Sequence, residues 1–161
     1  MKTDKKVIDT LNDLIKVNMD RIEGYEKAAE EVKDSFEAEV KSVFYEMAEE
    51  SRRYKEALAR EVNSLGGTPA TDTSAAGDIY RAWMDVRVAF SASDVQTALQ
   101  SCEYGEDNAL KTYKKALETD ANWPAETMNL ISNQRQSLKV SHDRIKRYRD
   151  EHASKASTVS H

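Results

Sequence analysis

The chain has 161 residues, 33% of them charged, a net charge of −5 and one Cys. Because phosphate contacts need a basic face, the acidic balance without a Lys/Arg-rich run argues against nucleic-acid binding. A single Cys excludes an intrachain disulfide, and the sequence has no apolar run of the ~18 residues that a membrane span requires. We therefore expect one helical domain in the cytoplasm, with no leader segment.

The first predicted element is a long helix over about 4–33. Apolar residues recur at alternating spacings of three and four from Ile8 to Phe36, which is typical of a helix packed in a bundle. Asp34 and Glu37 form a capping-box pattern that ends this helix and begins the next one. The sequence therefore predicts a tight turn near residue 34.

The second predicted helix covers about 35–65 and ends at Gly66 and Gly67, a helix stop signal. A polar linker at 66–77 follows it. The segment at about 78–90 then has the apolar spacing of a short amphipathic helix. We predict that this short helix lies on the crossover between two halves of the chain.

Two further helices are predicted at about 94–120 and 124–152, with a turn near residue 122. Pro124 suits the first turn of the last helix. The four long helices form one domain over 1–152, and the polar tail at 153–161 is predicted to be disordered.

The predicted fold class is all-α: a ferritin-like four-helix bundle of two antiparallel hairpins joined by a long crossover. A connection of roughly 28 residues lets the second hairpin enter from the far end, as ferritin-like bundles do. An internal similarity supports two equivalent hairpins. An offset of 88 residues relates Asn18 to Glu106 and Tyr25 to Tyr113.

Several polar residues lie among the apolar positions of these helices. Asn18 and Glu50 each lie sixteen residues from the turn at residue 34, and Glu106 lies sixteen residues before the turn at residue 122. His142 lies one turn from the matching position on the last helix. We therefore predict that these four residues meet in one polar layer. Since an unpaired buried carboxylate costs several kcal/mol, each Glu is partnered, exposed at the edge or bound to a metal.

A family resemblance enters through four motifs: IEGYEKAAEEVKD, AGDIYRAWMDVR, CEYGEDNALKTYKKALE and SHDRIKRYRD. With the hairpin spacing, they resemble a bacterial group of ferritin-like four-helix-bundle proteins known as a domain of unknown function, over about residues 4–150. In ferritin-like di-iron proteins, two helices each give a Glu and two each give Glu-x-x-His. The resemblance thus implies a bundle with a two-metal position at its centre.

The candidate ligand set departs from that pattern. The second helix has Arg52 or Arg53 where His is needed, and the last helix has Lys139 where Glu is needed. The first helix offers Asn18, or Glu26 in a different register, so only Glu106 matches cleanly. An Arg or Lys in that space neutralises a carboxylate without a metal. We interpret the layer as a degenerate site whose metal has been replaced by internal ion pairs.

Two pairs of residues near this layer have structural interpretations. Gly24 and Gly105 each cost about 1 kcal/mol against Ala in a helix, and we attribute them to close aromatic or helix packing rather than to a ligand channel. Tyr25 and Tyr113 are predicted to be core tyrosines whose hydroxyls satisfy the polar layer.

The predicted function is that of a non-enzymatic binding or stress-associated protein that forms a dimer and carries no resident cofactor. The first alternative is a di-iron or other metal-carboxylate oxidase, or an iron-handling protein, with Glu50, Glu106 and His142 as metal ligands. The second alternative is a carrier of an apolar ligand held between splayed helices. The sequence leaves the question of an enzymatic activity open.

Overall fold

The computed structural model describes residues 4–31, 38–72, 83 and 95–159. These residues form four long helices and no strand within the described ranges. The structure confirms the all-α class. The helices are α1 (Lys5–Glu31), α2 (Ala38–Ser64), α3 (Val95–Leu117) and α4 (Ala125–Val159).

The helix bounds lie within three residues of the predicted ones, except at the end of α4. The sequence predicts an end near residue 152 and a disordered tail, whereas α4 continues to Val159. The stretch at 150–159 contains neither Gly nor Pro, so nothing in it ends a helix. The predicted capping box at Asp34 and the crossover helix at 78–90, apart from Trp83, lie outside the described residues.

Contacts between helices define the order of packing. α1 packs along α2 and α3 packs along α4, while α1 also adjoins α3 and α2 adjoins α4. Tyr25 meets Glu106 and Asn18 meets Tyr113, so α1 and α3 are antiparallel.

Every neighbouring pair is therefore antiparallel, and α2 runs in the same direction as α3. The connection from Ser64 to Val95 must return along the bundle, a distance of about 40 Å for a helix of this length. This path is the long crossover of a ferritin-like bundle.

The start of that crossover is tied to α1. Gly66 adopts a positive φ of 86°, which ends α2 as the sequence predicts. Asn12 then binds the departing chain with both ends of its amide. Its Nδ2 donates to the Thr68 carbonyl at 3.1 Å, and its Oδ1 accepts from the Ala70 amide at 2.8 Å.

Trp83 fills a groove between α1 and α3. A Cβ added at Gly24 would lie 2.6 Å from Trp83 Cε3, and one added at Gly105 would lie 2.8 Å from Trp83 Cε2. The Trp83 and Tyr25 ring centroids are 4.7 Å apart. Both glycines therefore serve aromatic packing, as predicted.

Candidate functional site

The centre of the bundle is organised around Arg21 on α1, whose side chain is fully buried. Its Nε donates to Glu106 Oε1 on α3 at 2.8 Å. Its Nη1 donates to Glu50 Oε1 at 2.9 Å and to Ser51 Oγ at 2.8 Å, both on α2. One guanidinium thus bridges carboxylates from two other helices.

Two hydroxyl groups also donate hydrogen bonds to these carboxylates, whereas Glu106 Oε2 is buried without a hydrogen-bond partner. Tyr25 Oη donates to Glu106 Oε1, the oxygen that also accepts from Arg21. Ser141 Oγ on α4 donates to Glu50 Oε1 at 2.9 Å. Because all four helices contribute, we call Arg21, Glu50, Glu106 and their hydroxyl partners the arginine network.

The charge states of Arg21 and Tyr25 are fixed by their surroundings. Burial alone would lower the pKa of Arg21, but Glu106, Tyr25 and Glu50 beside it raise that pKa above its ordinary value. Burial, followed by the charge of Glu106, raises the pKa of Tyr25 well above its usual range. Arg21 therefore stays cationic, and Tyr25 keeps the proton that it donates.

A second polar chain lies one turn away and carries no charge. Asn18 Nδ2 donates to Tyr113 Oη at 2.9 Å, and Tyr113 Oη donates to Gln134 Oε1 at 2.7 Å. Gln134 Nε2 continues to the Tyr54 carbonyl at 3.3 Å. These contacts link α1, α3, α4 and α2, so this neutral chain also crosses the whole bundle. The structure thus confirms that Tyr25 and Tyr113 satisfy buried polar groups.

The two contacts between α1 and α3 are related by the internal similarity of the sequence. The offset of 88 residues carries Asn18 onto Glu106 and Tyr25 onto Tyr113. It therefore exchanges the Asn18–Tyr113 contact with the Tyr25–Glu106 contact, as a pseudo-twofold axis would.

His142 lies in a third group, between α3 and α4. Its Nε2 is 2.6 Å from Asp107 Oδ1, and its Nδ1 is 3.1 Å from Asp143 Oδ1. Glu103 lies beside it, and one ligand atom each from Glu103, Asp107 and His142 falls within 4.8 Å of the others. Arg149 binds Glu103 through Oε2.

The structure therefore divides the predicted polar layer. Glu50 and Glu106 come together, but on Arg21; Asn18 belongs to the neutral chain one turn away. Within the described ranges, the polar contacts of His142 are to Asp107 and Asp143 rather than to the two Glu residues. A metal-binding role for Glu50, Glu106 and His142 stays a prediction.

The neutralising cation is also different from the expected ones. Arg52 pairs with Glu26 and Glu49 on the surface, and Lys139 pairs with exposed Asp143. The sequence reasoning missed Arg21 because a long cationic side chain is rarely fully buried. The available signal was its spacing, three residues after Asn18 and four before Tyr25.

A family model described as "Domain of unknown function (DUF2383)" matches residues 6–119. The chain belongs to the DUF2383 family. This finding and the fold confirm the resemblance that the sequence motifs indicate. Among curated proteins, no sequence matches this DUF2383 chain at a significant level.

Two solved structures are similar to this DUF2383 chain. One is a dodecameric thioferritin, the bacterioferritin-related protein from Bacteroides fragilis, with a TM-score of 0.79 and 19% identity over 98% of this chain and 92% of that one. The other is a mutant of Dps1 from Mycobacterium smegmatis, with a TM-score of 0.72 and 14% identity over 89% of this chain and 95% of that one. These similarities establish the ferritin-like fold. None of the helices in the described ranges combines the length and apolar character of a membrane span.

Proposed function

We propose that this chain is a non-enzymatic ferritin-like protein whose central metal position has been replaced by the arginine network, and that it acts by binding at its surface. The observation that carries the proposal is the position of Arg21. Its guanidinium is fully buried and contacts both Glu50 and Glu106, at 2.9 and 2.8 Å.

The residues around Arg21 do not fit a two-metal carboxylate centre. Such a centre uses four carboxylates and two imidazoles from the four helices. Here the two inward carboxylates already bind a fully buried, permanent cation, and water does not screen the repulsion between its guanidinium and a divalent ion beside it. A metal could bind at this position only if the Arg21 side chain moved away from Glu50 and Glu106.

The alternative is a metal-carboxylate oxidase or iron-handling protein that uses Glu50, Glu106 and His142. It is supported by the two carboxylates at the centre and by the separate carboxylate–imidazole group at His142. A carrier of an apolar ligand is less well supported, because the groove between α2 and α4 is lined by charged residues. This groove has a volume of about 540 Å³, and its lining includes Glu46, Glu50 and Arg144.

Iron stoichiometry tests the proposal. The protein without a His tag is incubated anaerobically with Fe(II) and desalted, and the iron per chain is counted by elemental mass spectrometry. Glu50→Gln removes a central carboxylate, and Glu49→Gln is the matched control because Glu49 is an exposed neighbour. Both are made in an Asp107→Asn background, which removes the separate group at His142.

We expect near-zero iron in this background, with no difference between the two Glu variants. About two irons per chain that are lost with Glu50→Gln, but kept with Glu49→Gln, would contradict the proposal and favour the oxidase.

We also propose that the protein self-associates as a dimer in the cytoplasm. Self-association, rather than the dimer in particular, is supported by the thioferritin neighbour, which is described as dodecameric. Light scattering after size-exclusion chromatography should give about twice the chain mass of 18.2 kDa. A monomer at micromolar concentration would contradict this proposal.

A further inference from the structure

We propose that Glu103, Asp107 and His142 form a site for a single divalent transition-metal ion on the α3–α4 face. This site is separate from the arginine network and does not depend on the proposed function. An exchangeable ion at the surface is compatible with a centre that binds none.

Helix geometry brings the three side chains together. Glu103 and Asp107 are four residues apart on α3, so they lie on one face of that helix. α4 runs antiparallel beside them and places His142 Nε2 2.6 Å from Asp107 Oδ1. One ligand atom from each residue lies within 4.8 Å of the other two.

Small side-chain movements would accommodate an ion. Zn²⁺ bonds of about 2.0–2.2 Å in tetrahedral geometry place ligand atoms roughly 3.3–3.6 Å apart. The Asp107 side chain is 47% exposed, so it can move away from His142 by the required fraction of an ångström. The same exposure leaves the remaining coordination positions open to water.

The orientation of the His142 ring also favours a bound ion. The residue is only 8% exposed, and its buried Nε2 lies 2.6 Å from Asp107 Oδ1 in a geometry that makes no hydrogen bond. On the other side of the ring, Nδ1 lies 3.1 Å from Asp143 Oδ1. A carboxylate that accepts from one imidazole nitrogen, so that the other presents its lone pair, is the arrangement that supports metal-bound histidines.

The local charges favour a cation at this point. Glu103 and Asp107 are both acidic, and Arg149, which binds Glu103, is shared with Asp150. Lys139 is paired with Asp143. Since imidazole with carboxylates suits transition metals better than Mg²⁺ or Ca²⁺, the ligand class is a divalent transition metal.

Zinc titration tests the site. Chelator-treated protein is titrated with Zn²⁺ in competition with a chromophoric chelator, and Co²⁺ is added in parallel to obtain the visible absorption of a bound ion. We expect one Zn²⁺ per chain. His142→Gln and Asp107→Asn should each weaken binding at least tenfold, Asp143→Asn should weaken it less, and Ca²⁺ should not compete.

Two controls keep the result interpretable. Glu46→Gln changes an exposed carboxylate on α2, and Glu50→Gln changes the arginine network; both should leave the affinity unchanged. Circular dichroism checks that each variant is folded. Absence of stoichiometric Zn²⁺ binding, or equal affinity in the wild type, His142→Gln and Asp107→Asn, would overturn the proposal. Loss with Glu50→Gln alone would place the ion at the centre and overturn it as well.

Discussion

The Asn18–Tyr113 and Tyr25–Glu106 contacts between α1 and α3 are related by the pseudo-twofold axis, but they differ in charge. In one, the Tyr113 hydroxyl accepts from the Asn18 amide and passes the hydrogen bond on to Gln134. In the other, the Tyr25 hydroxyl donates to the Glu106 carboxylate. The first contact is complete with neutral groups, whereas the second contains a negative charge with no exposure to water.

That difference accounts for Arg21, which lies between the two contacts on α1. A buried carboxylate is tolerated only with a countercharge and several hydrogen bonds. The offset that relates the hairpins places Ala109, a small buried residue, at the position equivalent to Arg21. One Glu in place of an amide therefore requires a buried cation on one side of the pseudo-twofold axis only.

The largest expected effect comes from removing the cation that pairs with buried Glu106. Arg21→Met leaves Glu106 buried without its cation and should lower the free energy of unfolding by about 3–5 kcal/mol. Adding Glu106→Gln should restore a large part of this loss, because an amide needs no countercharge. Urea denaturation measures both, with Arg52→Met as a surface control. If Arg21→Met alone is as stable as the wild type, the buried Arg21–Glu106 ion pair does not contribute to stability.

The two tyrosines compare the contacts directly. Tyr25→Phe removes a hydrogen bond to a charged group and should cost about 1.5–3 kcal/mol, whereas Tyr113→Phe removes neutral bonds and should cost about 1–2 kcal/mol. Tyr104→Phe is the control, since Tyr104 is 54% exposed. If chemical denaturation gives the larger loss for Tyr113→Phe, the charged contact is not the stronger one.

A smaller effect is expected from changing the packing of Trp83 against Gly24, next to Tyr25. Gly24→Ala places a Cβ 2.6 Å from Trp83, so overpacking should lower the free energy of unfolding by about 1–3 kcal/mol. The higher helix propensity of Ala should offset about 1 kcal/mol of this loss. In a Trp83→Leu background the same change should become neutral or stabilising. Thermal unfolding measures both; an equal penalty in the two backgrounds would mean that Trp83 is not what the glycine accommodates.

The smallest effect is on pH dependence. Burial raises the pKa of Tyr54 to about 12 and raises that of Tyr113 and Tyr25 further above the ordinary value. The stability that these phenols contribute is present below about pH 10 and is lost as the pH rises through their folded-state pKa values. At pH 11 the absorbance at 295 nm should therefore show less phenolate in the native protein than in urea. Equal titration curves would contradict this.

Periodicity and turn signals were sufficient to predict the hairpins and the long crossover, and an internal similarity of the sequence supplied the offset that relates the two halves. They also placed Glu50 and Glu106 at one level, because distance from a turn fixes height in an antiparallel pair. They did not give the partner of these carboxylates. A pattern of apolar residues assigns Arg21 to solvent, and Ile22, which it assigns to the core, is only half-buried.

The group at His142 was missed for a related reason. The segment CEYGED supplies three carboxylates, and only side-chain direction separates Glu106, which points to the centre, from Glu103 and Asp107, which face α4. Within one turn of helix, Glu106 therefore belongs to a buried ion pair, whereas Glu103 and Asp107 belong to a half-exposed group. Spacing along the chain does not show which carboxylate lies in which group.

The amide of Asn12 has a consequence for the order of assembly. It holds residues 68–70 against α1 without any residue of α3 or α4. Both hydrogen bonds lie within the first 70 residues, so this contact involves only the half of the chain that is synthesised before Glu106. Arg21 meets Glu50 within the first hairpin, whereas its contact with Glu106 forms only when α3 packs against α1.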